Sequence, residues 1–523
     1  VLEVGNDFRK VAYFGEFLRL HRNFFQSQLK GLSSIIFRSQ PILYWSMKVI
    51  ICAVCVYYIG LFLYIGLSRF AFPFPFDWVE GPIFVQINRV LVGQKLYVEP
   101  SATYVPLVYQ PVYFYLAAVF TKLFGLGLGS SRFLSILASC VSCLAIFQIT
   151  RKVTGSWFPG IVSTGFFAAT NGIVWTWFDF AKVDMLFVMF SLLGLFFLIQ
   201  ADLRSAILAG VFFTLSFFTK QSAIIIILPA CIFYFLRDRM RVILILGLTG
   251  VLTMAGIFFL NLDSHGWYYF YTFTLPSYHR LDASPAHVIY ILKSMIQPIL
   301  FFLGLVFCSI ILVWKKGNRT SQFNYFYALA GCIVVFSLLS ALSIGTTRNA
   351  FIPAYAMLAI VIGMGLQTVQ GTISRVYSGN IRFIGNTILL IACLLQFLNL
   401  QYSSRDYIPS AHDYKRAAAM IKKLRNTTGE MIIPSQNYLA LYVQKKVFYH
   451  DAPLGEFNGW YGKSLPAWAG LQREIQEIVR SGEVSFVFLA EPDHAWMGLR
   501  CEKVETLRSQ SKFVPTFYKM VCQ

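Results

Sequence analysis

Charge is what this chain has least of. Asp, Glu, Lys and Arg make up 13% of its 523 residues, against about 25% in an ordinary soluble domain. So little charge cannot keep a globule of this length in water, because 57% of the residues are hydrophobic and mean hydropathy is +0.61. Apolar runs of roughly 18–25 residues recur along the chain, the length that crosses a bilayer. The sequence reads as a polytopic α-helical membrane protein. Acidic residues are scarcer than basic ones, 24 against 44, for a formal charge of +20. In a soluble chain that excess would suggest nucleic acid, but no nucleic-acid motif accompanies it. In a membrane protein the excess belongs to cytoplasmic loops and anionic lipid.

Other things are missing too. There is no G-x-S-x-G elbow and no P-loop, and His265, His279 and His287 share one segment at no recognised zinc spacing. ATP-driven transport is thereby disfavoured, no cofactor is implied, and a divalent metal is not indicated. No internal repeat and no low-complexity linker divides the chain. Eight of the ten cysteines lie in apolar runs and read as small core residues, the C-x-x-C pairs Cys52/Cys55 and Cys140/Cys143 included. Cys501 and Cys522 lie in a polar tail and could form a disulfide if that tail is outside the cytosol. The first forty residues are basic and amphipathic, without the short apolar core of a cleavable signal peptide. Residues 1–42 read as a helix on the cytoplasmic membrane surface, or equally as a cytosolic helix packed on its own protein.

About eleven spans are expected, near 43–67, 133–150, 157–177, 185–202, 205–219, 221–236, 241–261, 295–314, 323–344, 350–370 and 381–400. Residues 107–125 are the ambiguous twelfth, and counting them as a span would reverse the side of everything after them. With the N-terminus cytoplasmic and 107–125 not crossing, the cytoplasmic turns collect Arg151/Lys152, Arg204, Arg237/Arg239/Arg241, Lys315/Lys316/Arg319 and Arg375/Arg382. That is the asymmetry of the positive-inside rule. Residues 107–125 are therefore expected as an amphipathic or re-entrant helix within a long external loop, 68–132, with Tyr109, Tyr113 and Tyr115 at the interface. The transmembrane domain spans 43–402. The tail, 403–523, alternates strand-like runs (EMIIPS, KKVFYHD, VSFVFLAEP) with helical patterns near 411–425 and 466–481, which predicts a small external α/β domain.

The remaining charges gather on the external side: Asp77, Glu80, Arg132, Asp179, Lys182, Asp184, Lys220, His279, Arg280, Asp282 and Arg348. Ionisable groups at membrane depth are costly and mark function by default. Asp77 and Glu80, spaced i, i+3, would share a helix face and suit proton abstraction or metal holding; the plain alternative is an interfacial helix cap. Asp184 in FDFAKVDMLF alternatively caps a helix starting at Met185. Lys220 in FFTKQSA and Arg348 in GTTRNAF either snorkel or hold an anion. His279 and Arg280 in YHRLD read as lid residues or ordinary loop residues.

The segment DWVEG…INRVLVGQKLYVEP…YVPLVYQPVYFYLAAVFTKLFGLGLGSSRFLSILAS resembles the first external loop of GT-C glycosyltransferases. It has an Asp near the loop start, G-x-x-x-Y, a Pro/Tyr-rich stretch, an amphipathic helix, an lfG step and an Arg opening a span. The subgroup it most resembles is the lipopolysaccharide-core galacturonosyltransferase type, related to protein mannosyltransferases and aminoarabinose transferases. FAKVDMLFVMFSLLGLF resembles that group's a-R-P-D-m-l segment, with Lys182-Val183 where Arg-Pro is usual. The resemblance covers roughly 43–240 well and 340–370 loosely. It implies a polyprenyl-phosphate sugar as donor, a hydroxyl on a glycan, lipid or protein as acceptor, and direct displacement with inversion. Asp77 matches the base position, with Glu80 second. Lys220 and Arg348, then Arg132, would face the leaving phosphate, and Asp184 would orient the acceptor or one of those cations. Tyr109, His279 and Arg280 join the substrate-binding set, and the loop 263–294 could close over the site. The site and tail are expected on the periplasmic, extracytoplasmic or luminal side. The competing expectations are a transporter or lipid flippase without bond-making chemistry, and a receptor or scaffold whose tail binds a partner.

Overall fold

The computed structural model describes residues 40–315, 322–346, 348–462 and 464–523. The expected surface helix at 1–42 and the basic turn at Lys316 and Arg319 lie outside the described residues, save for 40–42. Each of the eleven expected spans coincides with a helix. Seven are long and apolar enough to cross a membrane: α1 (Gln40–Arg69), α4 (Leu128–Thr154), α9 (Arg239–Asp263), and the helices Pro285–Lys315, Gln322–Ala341, Arg348–Val376 and Gly379–Asp406. Between them run the shorter α2 (Glu80–Leu91), α3 (Val112–Phe124), α5 (Trp157–Ile173), α6 (Val183–Leu198), α7 (Leu203–Phe217) and α8 (Ile224–Phe235). Helix α3 has 13 residues, about 20 Å at 1.5 Å per residue, short of the ~30 Å hydrocarbon core. Length does not set α3 apart from the helices at expected spans, since α8 has only 12 residues. The tyrosines divide differently from expectation. Tyr115 is exposed, whereas Tyr113 is fully buried and donates to the Ser131 carbonyl at 3.1 Å. It faces α4, on which α3 packs.

The helix Arg348–Val376 is the hub: 89% of its apolar window is buried, against 17% for α9. It packs on α4, α5, the helix Pro285–Lys315 and the helix Gln322–Ala341. Small residues permit this crowding. A Cβ on Gly363 would stand 2.2 Å from Ser163 Oγ and 2.7 Å from the Pro159 carbonyl oxygen, so the backbones of this helix and α5 approach as only glycine allows.

The C-terminal part is a small sheet domain of order β1-β2-β4-β3. Strands β1 (Glu430–Ile432) and β2 (Val484–Leu489) run parallel, while β4 (Phe517–Cys522) is antiparallel to both β2 and β3 (Cys501–Leu507). Helix Ala411–Asn426 starts on a Ser410/Asp413 capping box, and helix Ala467–Arg480 presents Leu471, Ile475 and Val479 to the core. Both helices fall where the 3.6-residue period placed them. KKVFYHD is a correction: residues 445–450 form irregular chain, because Phe448 and Tyr449 bury against the membrane part instead of pairing in a ladder. The Tyr449 N–H bonds to Ala102 O at 3.0 Å. Cys501 and Cys522 pair as a disulfide across neighbouring β3 and β4.

Asp451 opens the short helix Asp451–Asn458 beside this buried segment, and burial raises its carboxyl to about 7. Between its ordinary carboxylate range and that value, the folded state holds a proton the unfolded chain lacks, so stability falls as pH rises through this window. Asp451→Asn should raise the melting temperature at pH 8 and leave it unchanged at pH 4; an equal shift at both pH values, read by differential scanning fluorimetry, would contradict that account.

Candidate active site

The chain leaves α1 at Arg69 and turns through 70–79 into α2. Three buried ion pairs fix that turn and its surroundings. Arg132, from the first turns of α4, binds Glu80 through Nη2–Oε2 at 2.8 Å and Nε–Oε1 at 3.1 Å. Its remaining N–H groups reach the carbonyls of Phe72 at 2.7 Å and Phe74 at 2.8 Å. Glu80 also accepts the N–H groups of Phe76 at 2.7 Å and Ala181 at 2.6 Å. Burial alone would raise the Glu80 carboxyl, but Arg132 and those N–H bonds hold it below the usual carboxylate range. Arg69 grips Asp179 with two bonds of 2.8 Å and reaches Thr176 O and Oγ1 at 2.9 Å. Phe76 lies between the guanidiniums of Arg69 and Arg132, at 4.4 and 4.2 Å.

Asp77 and Glu80 therefore do not share a helix face: α2 begins at Glu80, and Asp77 lies ahead of it. Asp77 Oδ1 takes Lys182 Nζ at 2.9 Å and the Val79 N–H at 3.0 Å. Burial would lower the Lys182 ammonium, but Asp77 foremost holds it above its usual value. Lys182, not Asp184, is the N-cap residue of α6, and no side chain caps that helix end. Asp184 instead collects Lys220 Nζ at 2.7 Å, Asn349 Nδ2 at 3.1 Å and Trp177 Nε1 at 3.0 Å. Backbone strain accompanies these pairs: Trp175 and Thr176 hold φ of 54° and 58°, a left-handed region that costs bulky residues free energy. The strain turns Thr176 toward Arg69 and stands Trp175 under Arg348, 4.0 Å from guanidinium to ring.

Of these groups Lys182, Lys220 and Asn349 reach a cavity of about 230 Å³, while Asp77 and Asp184 stand behind it, bonded to the two lysines. Tyr109, Lys182, Lys220 and Asn349 line it from the membrane part, and Glu456 and Tyr461 from the C-terminal domain. His279 closes one side, with Nε2 2.7 Å from Glu456 Oε2. Arg280 is exposed and contributes its backbone, with its N–H on Tyr461 O at 2.8 Å. Arg348 lines a neighbouring apolar cavity of about 160 Å³ and binds Ile173 O at 2.9 Å and Tyr290 OH at 3.0 Å; Thr346 borders both cavities. Glu80 and Arg132 are not brought to the cavity. Both are fully buried and satisfied by each other and by backbone, so neither offers a free lone pair or N–H to a substrate. A larger cavity, about 670 Å³, lies among Phe70, Phe124, Leu126, Phe133 and Tyr442, with Arg425 as the one charged lining residue among the described residues.

No protein of curated function matches the chain by sequence. Residues 105–262 match the family of dolichyl-phosphate-mannose-protein mannosyltransferase. ArnT from Cupriavidus metallidurans, solved bound to undecaprenyl phosphate, is similar over 89% of this chain and 97% of its own, with a TM-score of 0.57 at 12% identity. The oligosaccharyltransferase of Archaeoglobus fulgidus is similar over 85% of this chain and 69% of its own, with a TM-score of 0.53 at 9% identity. The archaeal oligosaccharyltransferase AglB from Archaeoglobus fulgidus, in complex with an inhibitory peptide and a dolichol-phosphate, is similar over 86% of this chain and 69% of its own, with a TM-score of 0.52 at 9% identity.

The chain has the fold of a GT-C glycosyltransferase.

Within this GT-C fold the cavity also takes residues that the sequence did not single out: Trp78, Gln221, Asn349, Glu456 and Tyr461. Trp78 was within reach, being next to Asp77. Glu456 and Tyr461 stand in DAPLGEFNGWYG, a Gly/aromatic cluster in the tail with nothing local to tie it to the membrane part. Removing one partner of a fully buried pair leaves an uncompensated charge, so Glu80→Ala should lose about 3–5 kcal/mol of stability. Heat denaturation in detergent reads this; a melting temperature equal to wild type would show that the turn does not depend on the pair.

Proposed function

We propose that this protein transfers a sugar from a polyprenyl-phosphate donor to an acceptor hydroxyl, with Asp77 as general base. The observation that carries the reading is that two lysines drawn from segments far apart in the chain line one cavity, each bonded to a carboxylate just behind it, Asp77 and Asp184. Two proteins of similar fold are described with undecaprenyl phosphate or dolichol-phosphate, and both lipids are polyprenyl phosphates. A lipid tail explains why such chemistry sits on membrane helices. The apolar cavity beside Arg348 suits the first carbons of the chain next to the phosphate.

In this mechanism the acceptor hydroxyl attacks the anomeric carbon from the side opposite the phosphate. The new C–O bond forms as the sugar–phosphate C–O bond breaks, and inversion follows. Asp77 takes the hydroxyl proton. The departing phosphate gains negative charge, which Lys220 and Arg348 stabilise. Asp184 holds Lys220 through a 2.7 Å bond and Asn349 through one of 3.1 Å. Asp184 thus positions a cation and does not take part in proton transfer. The reaction is assigned to the non-cytoplasmic face. Two features support that side: the basic turns placed opposite, and the Cys501–Cys522 disulfide, a bond favoured in oxidising compartments.

Membranes holding the wild-type chain, given a radiolabelled undecaprenyl-phosphate sugar, should move label into a lipid, protein or glycan fraction. Asp77→Asn should cut that transfer by roughly 10²–10⁴-fold, the usual worth of a general base; undiminished transfer would remove Asp77 from the role. Lys220→Ala and Arg348→Ala should each weaken binding of undecaprenyl phosphate by about tenfold or more, the scale of one charge-assisted bond. Unaltered affinity in both would reject phosphate holding by these residues.

A further inference from the structure

Part of the cavity is lined by side chains that the proposed transfer chemistry leaves unused. Trp78 is 40% exposed and follows Asp77 directly in the chain. Its ring stands 6.4 Å from that of Tyr461, at 46°, so the two form an aromatic corner. The His279 ring lies 5.3 Å from Tyr461 and bonds to Glu456. The side chains of Glu456 and His279 keep 9% and 21% exposure, and both line the same cavity. A corner of apolar ring faces with a carboxylate and an imidazole at its edge matches a pyranose, whose C–H face is apolar and whose hydroxyls demand acceptors and donors.

Charge narrows the class. Glu456, Lys182 and Lys220 line the cavity, and each is already paired: Glu456 with His279, and the two lysines with Asp77 and Asp184, which stand behind the lining. The donor phosphate would add a further negative charge that the neighbouring Arg348 can offset. Among the described residues that line the cavity no ammonium or guanidinium is left unpaired for a second anionic group on the sugar; Arg280 stands outside that lining, and Glu456, bonded to His279, offers an anion no positive charge. We propose that Trp78, His279, Glu456 and Tyr461 form the subsite for the transferred sugar, and that it takes a neutral sugar ring in preference to one bearing a carboxylate. The inference rests on the polyprenyl-phosphate reading above. It makes the C-terminal domain a wall of the active site, where the resemblance to galacturonosyltransferases would have suggested a uronate.

The test separates lipid from sugar. The full chain in detergent is titrated with undecaprenyl phosphate alone, with its mannosyl, glucosyl and arabinosyl forms, and with its galacturonosyl form. Wild type should bind the best neutral form at least tenfold more tightly than undecaprenyl phosphate, and the galacturonosyl form at least tenfold more weakly than that neutral form. Trp78→Ala and Glu456→Gln should abolish the gain due to the sugar while binding undecaprenyl phosphate as wild type does, which also reports that they are folded. Equal gain in wild type and both variants, tightest binding of the galacturonosyl form, or no gain from any neutral sugar would each overturn the subsite. Failure of wild type to bind undecaprenyl phosphate at all would overturn the donor reading beneath it.

Discussion

The Glu80–Arg132 pair is the constraint from which the site's geometry follows. A carboxylate and a guanidinium with no exposure are tolerated only if every polar atom finds a partner, and here the partners are the backbone of the turn itself. Arg132 draws the carbonyls of Phe72 and Phe74 inward, and Glu80 takes the N–H groups of Phe76 and Ala181. The turn after α1 is thereby tied to the start of α4 and to the segment before α6. Asp77 has little freedom once its neighbours on both sides are fixed, and it meets Lys182 because Ala181 is held next door.

The same logic separates the charges into two kinds. Arg69–Asp179 and Glu80–Arg132 are closed on themselves and serve as framework. In Asp77–Lys182 and Asp184–Lys220 the lysine of each pair borders open volume. In the sequence the two kinds look alike, since all are lone ionisable residues at the ends of apolar runs. Spacing therefore picked out Asp77, Lys220 and Arg348 along with Glu80 and Arg132, and only the three-dimensional pairing sorts them.

Much of the fold was legible because the bilayer imposes a simple rule: apolar runs of the right length become helices, and all eleven expected runs did. The amphipathic helices of the tail were legible for the same reason of periodicity. Strands β3 and β4 escaped notice, since CEKVETL and FYKMVC mix polar and apolar residues without the strong alternation that marks a half-buried edge. The run at 445–450 misled in the opposite way. Its apolar residues bury against another part of the chain, and burial of that kind leaves no local signature. Glu456 was invisible for a related reason, as its partner His279 stands 177 residues earlier.

The seam between the tail and the membrane part has no clearance. A Cβ on Gly462 would fall 1.9 Å from the Tyr278 carbonyl oxygen, and one on Gly345 would strike the Tyr461 ring at 2.5 Å. During synthesis, every helix around the ion pairs is complete before Glu456 leaves the ribosome. Until then the side of the pocket that Glu456 and Tyr461 line has no wall. The chain thus completes its charged groups early and the wall beside them last, so closure of the pocket waits on the tail.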